Sequence, residues 1–499
     1  MTSARGRFVV GLLAVTLLLR LQAFLWPLKP DESGFLLVSR DWHPQPESIY
    51  GFYFVDRPPT LIGLFRLADV IGGAYAPRVA AAALVLLLVY AAYRTGLVLG
   101  GERAARWTGV AAAAFSGQPD FEMWSAKSES LGVPFVVVSC WLSLEALSAA
   151  SGRRRTTFAL LAGVSGGLAL GMKQNLIGGA VFGIVLLVAA LLTRRTKPRE
   201  AGASLAAAAV GFAIPIVAVV GWAAAAGVRL HVLWDTLVSF RGEAFSVIQN
   251  SSKAAPAERF RELLVLFAVS GLALALGWFL LRLRPALREV PEPTVAVLVM
   301  VLIDLAGLVL GGSYWSAYLS AIIPGAVLAV AVVASLSPTP GRGVRGVVVF
   351  AAVSSLVLTT GWSIGHLRGT TAPTANYVGS AIREVSEPSD TIVVLYGRPD
   401  VVLASGLRSP YEHLWSLPAR TLDPQLDQLR AVLSGDDAPT WVVAWSYLNS
   451  WDIDHDGKLQ ALLDARYVDV GVRCERHILL RADLTRPALP EIDCNEPWL

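Results

Sequence analysis

Apolar residues along this chain come in long blocks separated by short polar joints. That pattern is neither the one-sided stripe of a half-exposed helix nor the alternation of a half-buried strand. A helix needs about 20 mostly apolar residues to cross a bilayer, and on that criterion about eleven candidate spans follow. They run approximately Phe8 to Trp26, Pro77 to Leu99, Trp107 to Ser116, Leu131 to Ala150, Thr157 to Gly171, Leu176 to Leu192, Ala203 to Ala226, Leu263 to Leu281, Thr294 to Leu310, Tyr318 to Ser335 and Val347 to Ile364. With the N-terminus inside, the cytoplasmic joints are Met1 to Arg7, Gly101 to Arg106, Gly152 to Arg155, Arg194 to Glu200, Arg282 to Glu292 and Pro338 to Arg345. These hold 16 Lys or Arg against four acids, the bias of the positive-inside rule. An odd number of spans then puts everything after Gly365 outside.

The joints of the other side differ in character. Pro27 to Ala76 and Gly227 to Glu262 are long and mix aromatic, charged and apolar residues, which predicts short amphipathic helices lying in the membrane interface. From about Tyr377 the pattern changes again. TIVVLYG, WVVAWSYL and YVDVGVRCERHILLRA are short, β-branched and bounded by turn residues, hence strands. LDPQLDQLRAVL and KLQALLDAR repeat at three and four residues, hence helices. The predicted fold is mainly α: a polytopic membrane helix bundle over residues 1–365, with interfacial helices in its first outer loop. A small extracytoplasmic α/β domain is expected over residues 366–499.

Composition agrees: 54% of residues are hydrophobic and 16% charged, with a mean hydropathy of +0.55, which excludes an ordinary soluble protein. The net charge of +4 says less than where the basic residues sit. The start, MTSARGRFVVGLLAVTLLLRLQAFLW, has the basic opening of a signal peptide but an overlong apolar stretch and no small-residue cleavage site, so it reads as a retained first span. Cys140 lies in an apolar run. Cys474 and Cys494 either pair outside the cytoplasm or stay as two free thiols. No Gly-rich phosphate loop or nucleotide fingerprint is present; this argues against an ATP-driven pump, and no nucleic-acid partner is expected.

Candidate chemistry gathers in the outer joints. KPDESGFLL puts Asp31 and Glu32 side by side just after the first span, either as a water-facing stop or as the edge of an active site. YFVDRPPT adds Asp56 and Arg57 ahead of a Pro58-Pro59 pair that fixes the backbone. Carboxylates suit a divalent cation or general-base work and Arg suits a phosphate; Asp31 and Asp56 are the expected ligands if a metal takes part. SGQPDFEMWSAKSES brings Asp120, Glu122, Lys127 and Glu129 to the same side, as a site contribution or a solvated turn. Lys173 ends a span there, to bind phosphate or to snorkel. Arg20 and Asp304 are intramembrane charges with no catalytic assignment. In DIDHDGKLQALLD, Asp452, Asp454 and Asp456 match the start of a calcium loop, but its twelfth position is Leu463, and acids before a helix also serve as a cap. His43 and His413 read as hydrogen-bonded loop histidines.

PDESGFLL, YFVDRPPTLIGLFRL and APRVAAAALVLLLVYAAYRTG resemble the opening of the GT-C glycosyltransferases of the protein mannosyltransferase and aminoarabinose transferase kind. GGLALGMKQN around Lys173 and GGSYWSAYLSAIIPG, with Tyr314 and Tyr318, are similar to later family patterns. Where family members often carry acids or an Asn-x-Glu stretch, this chain has Lys127-Ser128-Glu129. The resemblance implies a plasma-membrane enzyme that moves a sugar from a polyprenyl-phosphate carrier to an extracytoplasmic acceptor, whether cell-envelope glycan, lipid or protein. It implies Asp31 as catalytic base or orienting carboxylate with Glu32 beside it, Asp56 and Arg57 at metal or carrier phosphate, and Arg78 near the phosphate. The competing expectation is a transporter or flippase for a lipid-linked glycan, which would carry polar residues near the midplane, often in two related halves.

Overall fold

Each of the eleven apolar runs falls on a helix in the computed structural model, which describes residues 4–251, 254–336, 342–369 and 372–496. Among the described residues seven helices are long and apolar enough to cross a membrane. An eighth is counted if Ala254–Val269 and Leu272–Leu281, bent by 65° at their joint, make one span. The chain is therefore a multi-pass membrane protein. The difference from eleven has identifiable causes. Gly178–Leu192 has only 15 residues, and Gly152–Met172 opens on three arginines and is rich in glycine. Two of the expected runs share the 41-residue stretch Ala76–Ser116, interrupted at Gly100 and Gly101.

That interruption is a hairpin. Gly101 has φ +69°, a conformation glycine adopts without a Cβ clash. Beyond it the second arm returns along the first: a Cβ on Gly96 would lie 2.7 Å from the Ala105 Cα, and one on Gly109 would lie 3.5 Å from the Tyr93 Cβ. Ion pairs then tie helix ends into one face. Arg5 meets Glu102, Arg94 meets Glu145, Arg155 meets Glu200 and Arg195 meets Glu292. The opposite ends of these helices bound the region described next.

Two further helices, Pro30–Arg40 and Pro59–Gly72, fill the joint between the first and second runs. Each begins at a proline in its first turn, where the missing N–H costs nothing. The C-terminal part carries a four-stranded sheet in the order β1-β2-β4-β3, with β1 Ile392–Leu395, β2 Trp441–Ala444, β3 Tyr467–Arg473 and β4 Arg476–Arg481. β1 and β2 are parallel; the other pairs are antiparallel. β1 is buried along its whole length, as a covered parallel strand must be. Cys474 and Glu475 both take positive φ between β3 and β4, the turn that matches the twist of a hairpin. Cys474 is bonded to Cys494.

The sheet region is stitched to the first joint. The Ser409 N–H donates to the Tyr53 hydroxyl at 3.1 Å, and the Phe54 N–H donates to the Glu412 carbonyl at 3.1 Å. Gly34 makes room for Trp415, whose ring atom Cζ2 would lie 2.1 Å from a Cβ at that position.

Candidate active site

The helix Pro30–Arg40 sends its two leading acids to different surroundings. Glu32, only 1% exposed, accepts from Arg78 Nε at 2.7 Å and Nη2 at 2.6 Å, from the Ala126 N–H at 2.7 Å and from the Lys29 N–H at 2.9 Å. The last bond closes the first turn of its own helix. Arg78 is equally occupied: it also donates to the carbonyls of Ala23, Trp26 and Pro27. Burial pushes the Glu32 carboxyl up, but the charge of Arg78 and these bonds outweigh it and hold it below the ordinary range. Neither residue lines the neighbouring cavity; together they clamp the chain as it leaves the first span.

Asp31 faces that cavity, whose volume is about 790 Å³. Its Oδ1 accepts from the Trp415 indole Nε1 at 3.2 Å, and its Oδ2 lies 3.6 Å from the Lys127 Nζ. Its side chain is 35% exposed, against 12% for Asp56. Of the anticipated residues, Asp56, Arg57, Glu122, Lys127, Glu129 and Tyr318 share the cavity with Asp31. Two stretches of the first joint and the start of the helix Ser128–Ser148 thus converge on one cavity.

The charges there are interlocked. Asp56 pairs with Arg57 at 2.6 Å and with Arg241 at 2.8 Å. Burial alone would raise its carboxyl; the two guanidinium groups bring it below its usual value. Glu122 is similarly lowered: burial acts upward, but Lys127 and Lys29 prevail. Burial works against the Lys127 ammonium, and the charges of Glu122 and Asp31 more than reverse this, so it is held well above the ordinary lysine range. Glu129 is paired with Lys173, whose Nζ lies 4.4 Å from the centre of the Tyr318 ring.

Several anticipated residues stand elsewhere. Lys173 does not itself line the cavity, and neither do Asp120 and Tyr314. Burial and the Glu122 charge raise the Asp120 carboxyl. The Tyr314 hydroxyl donates to the Val309 carbonyl at 3.0 Å. The calcium-like stretch caps a helix: Asp454 accepts from the Leu459 and Gln460 N–H groups, and Asp456 pairs with Lys458 at 2.6 Å. The Asp452 side chain lies outside the described part of the structure. Among the described residues no group of three or more His, Cys, Asp or Glu is placed to hold a metal.

The sequence reading missed Arg241 and Arg259, which line the same cavity. Arg259 lies 4.3 Å from the centre of the Trp315 ring. Both fall within Gly227 to Glu262, where the mixture of aromatic and charged residues was the available signal. Trp415, Arg398 and Trp451 were missed as well, being contributed by the sheet region.

No protein-family description and no curated protein matches this sequence. Solved structures do. ArnT from Cupriavidus metallidurans bound to undecaprenyl phosphate superposes with a TM-score of 0.66 at 17% identity, over 96% of this chain and 98% of that one. The fold is the GT-C fold. An Archaeoglobus fulgidus oligosaccharyltransferase in complex with Zn and sulfate shares it at a TM-score of 0.52 and 13% identity, over 88% of this chain and 67% of that one. AglB from the same organism, in complex with an inhibitory peptide and a dolichol-phosphate, gives 0.50 and 11% over 93% and 73%. At such identities the likeness is one of architecture. Within this GT-C fold the joint after the first span, the segment Gly227 to Glu262 and the C-terminal sheet region wall a single cavity.

Proposed function

We propose that this protein is an integral-membrane glycosyltransferase that moves a sugar from a polyprenyl-phosphate carrier to an acceptor outside the cytoplasm. The observation that carries the reading is the sharing of one cavity by Asp31 and the guanidinium groups of Arg57, Arg241 and Arg259. The undecaprenyl phosphate and dolichol-phosphate held by the GT-C neighbours support a lipid-phosphate partner. The concentration of arginine in the opposite joints supports a cavity on the extracytoplasmic side of the plasma membrane. A disulfide in the C-terminal region agrees with an oxidising compartment.

In this reading the carrier phosphate lies against the three guanidinium groups, whose planar forks suit phosphate oxygens. The Asp31 carboxylate takes or orients the proton of the acceptor hydroxyl. The acceptor oxygen forms a bond to the anomeric carbon as the bond from that carbon to the phosphate oxygen breaks. The electron pair leaves with the phosphate, and fixed positive charge stabilises it there. The carboxylates do not fit a metal set: Asp56, Glu122 and Glu129 already face cationic side chains at ion-pair distance. The bent pair Ala254–Val269 and Leu272–Leu281 is the kind of broken span a transporter would use, which keeps lipid-glycan translocation as the second reading.

Purified protein in nanodiscs, given a panel of radiolabelled polyprenyl-phosphate sugars and a cell-envelope extract as acceptor, tests the proposal. Asp31→Asn is expected to lower transfer by about 10²–10⁴-fold with undecaprenyl phosphate binding retained. Full activity of that variant would sink the assignment. Arg241→Ala removes a charge-assisted contact of about 1.5–3 kcal/mol and is expected to weaken undecaprenyl phosphate about 10- to 100-fold in native mass spectrometry. Glycan translocation that survives Asp31→Asn, with no transfer by the unmodified protein, favours the transporter.

A further inference from the structure

We infer that the crevice at the carboxyl ends of β1 and β2 is an acceptor subsite that takes a saccharide chain; this rests on the transferase reading above. β1 and β2 are neighbouring parallel strands, so the segments that leave their carboxyl ends emerge side by side. Here the crevice opens into the cavity. Tyr396 and Arg398 follow β1, Trp445 follows β2, and all three line the cavity together with Trp451. Trp415 lies on the same wall and donates to Asp31. An acceptor seated here therefore ends at the carboxylate assigned to its hydroxyl.

Aromatic rings and guanidinium groups line this wall, and some of them are already stacked or paired with one another. The Trp445 ring has the Arg398 guanidinium 4.2 Å from its centre and that of Arg476 at 4.8 Å. Arg398 is forked onto Asp400 at 2.9 and 2.6 Å, and Asp400 is 2% exposed. Trp451 is 39% exposed although it lines a cavity, and its backbone sits at φ +59°, a position a bulky residue takes only when its surroundings impose it. A pyranose or furanose ring has an apolar C–H face that packs on an aromatic ring and a rim of hydroxyls that bonds to guanidinium N–H groups; the Trp451 ring, with the Arg420 guanidinium 5.1 Å from its centre, is the one left partly exposed to receive it.

The test uses the full chain in nanodiscs with three probes, a mannan hexamer, a glucan hexamer and a chitin tetramer, and a serine-containing heptapeptide as comparison. Binding is read by saturation-transfer NMR, with undecaprenyl phosphate binding measured in parallel. At least one oligosaccharide is expected to bind, Trp451→Ala to weaken it about tenfold or more, and Trp451→Phe to restore most of the loss. Undecaprenyl phosphate binding should be unchanged in both variants. Absence of oligosaccharide binding, indifference to Trp451→Ala, or binding of the peptide alone overturns the inference while leaving the transferase reading intact. Oligosaccharide binding without any undecaprenyl phosphate binding overturns the transferase reading and keeps the subsite.

Discussion

Successive side chains on a helix diverge by about 100°, and that angle separates Asp31 from Glu32. One reaches the cavity; the other is sealed with Arg78. A buried ion pair is costly to break from one side, about 3–5 kcal/mol, because the remaining charge stays unpaired. Glu32→Gln is therefore expected to lower the thermal unfolding midpoint in detergent, with transfer falling only as far as the folded fraction does. The double variant Glu32→Gln/Arg78→Met should recover part of the loss, since it removes both charges; no recovery would mean that the pair does more than clamp the chain. Asp31→Asn, at a half-buried position with one hydrogen bond and a 3.6 Å approach to Lys127, should cost about 1 kcal/mol or less of stability and so lower the midpoint less than Glu32→Gln does. The opposite pattern in these two melts would reverse the division of roles.

Among the elements, the helix Pro30–Arg40 is the one on which the site hinges, because Gly34 gives Trp415 its place beside Asp31. A Cβ there would displace the indole and take the donor away from Asp31. Gly34→Ala is expected to slow transfer by about 10²-fold, the scale of a one-ångström misplacement, while undecaprenyl phosphate still binds; unchanged kinetics would show that Trp415 does not position the carboxylate. None of this is visible in one dimension. The elements themselves were legible, because runs of Leu, Val and Ala mark helices in lipid, and the hairpin at Gly100 and Gly101 even fell between two separately read runs. TIVVLYG and WVVAWSYL became β1 and β2 for the same local reason. The cluster of Asp31, Asp56 and Arg57 was legible because one joint carries all three. Arg241, Arg259 and Trp415 were not, since their partners lie far along the chain and long-range proximity leaves no local period.

At the scale of the whole molecule, acid is the natural probe. Glu32, Asp56 and Glu122 are all held below their ordinary values of 4.5, 3.8 and 4.5. A carboxylate with a depressed folded-state value contributes stability that is complete above its unfolded value and is lost as the pH falls through the folded one. Thermal midpoints should accordingly be level from neutrality down to about pH 5 and fall progressively below about pH 4.5. A midpoint that rises on acidification would contradict the ion-pair assignments.

One contact has a temporal meaning. Asp31 and Trp415 are 384 positions apart, so the ribosome delivers the carboxylate long before the indole that holds it. A nascent chain can insert its helices and fold its first joint while the cavity still lacks a wall. Under the transferase proposal the site would then be complete only once translation has reached the sheet region, so a truncated chain that ends before Trp415 is expected to show no transfer.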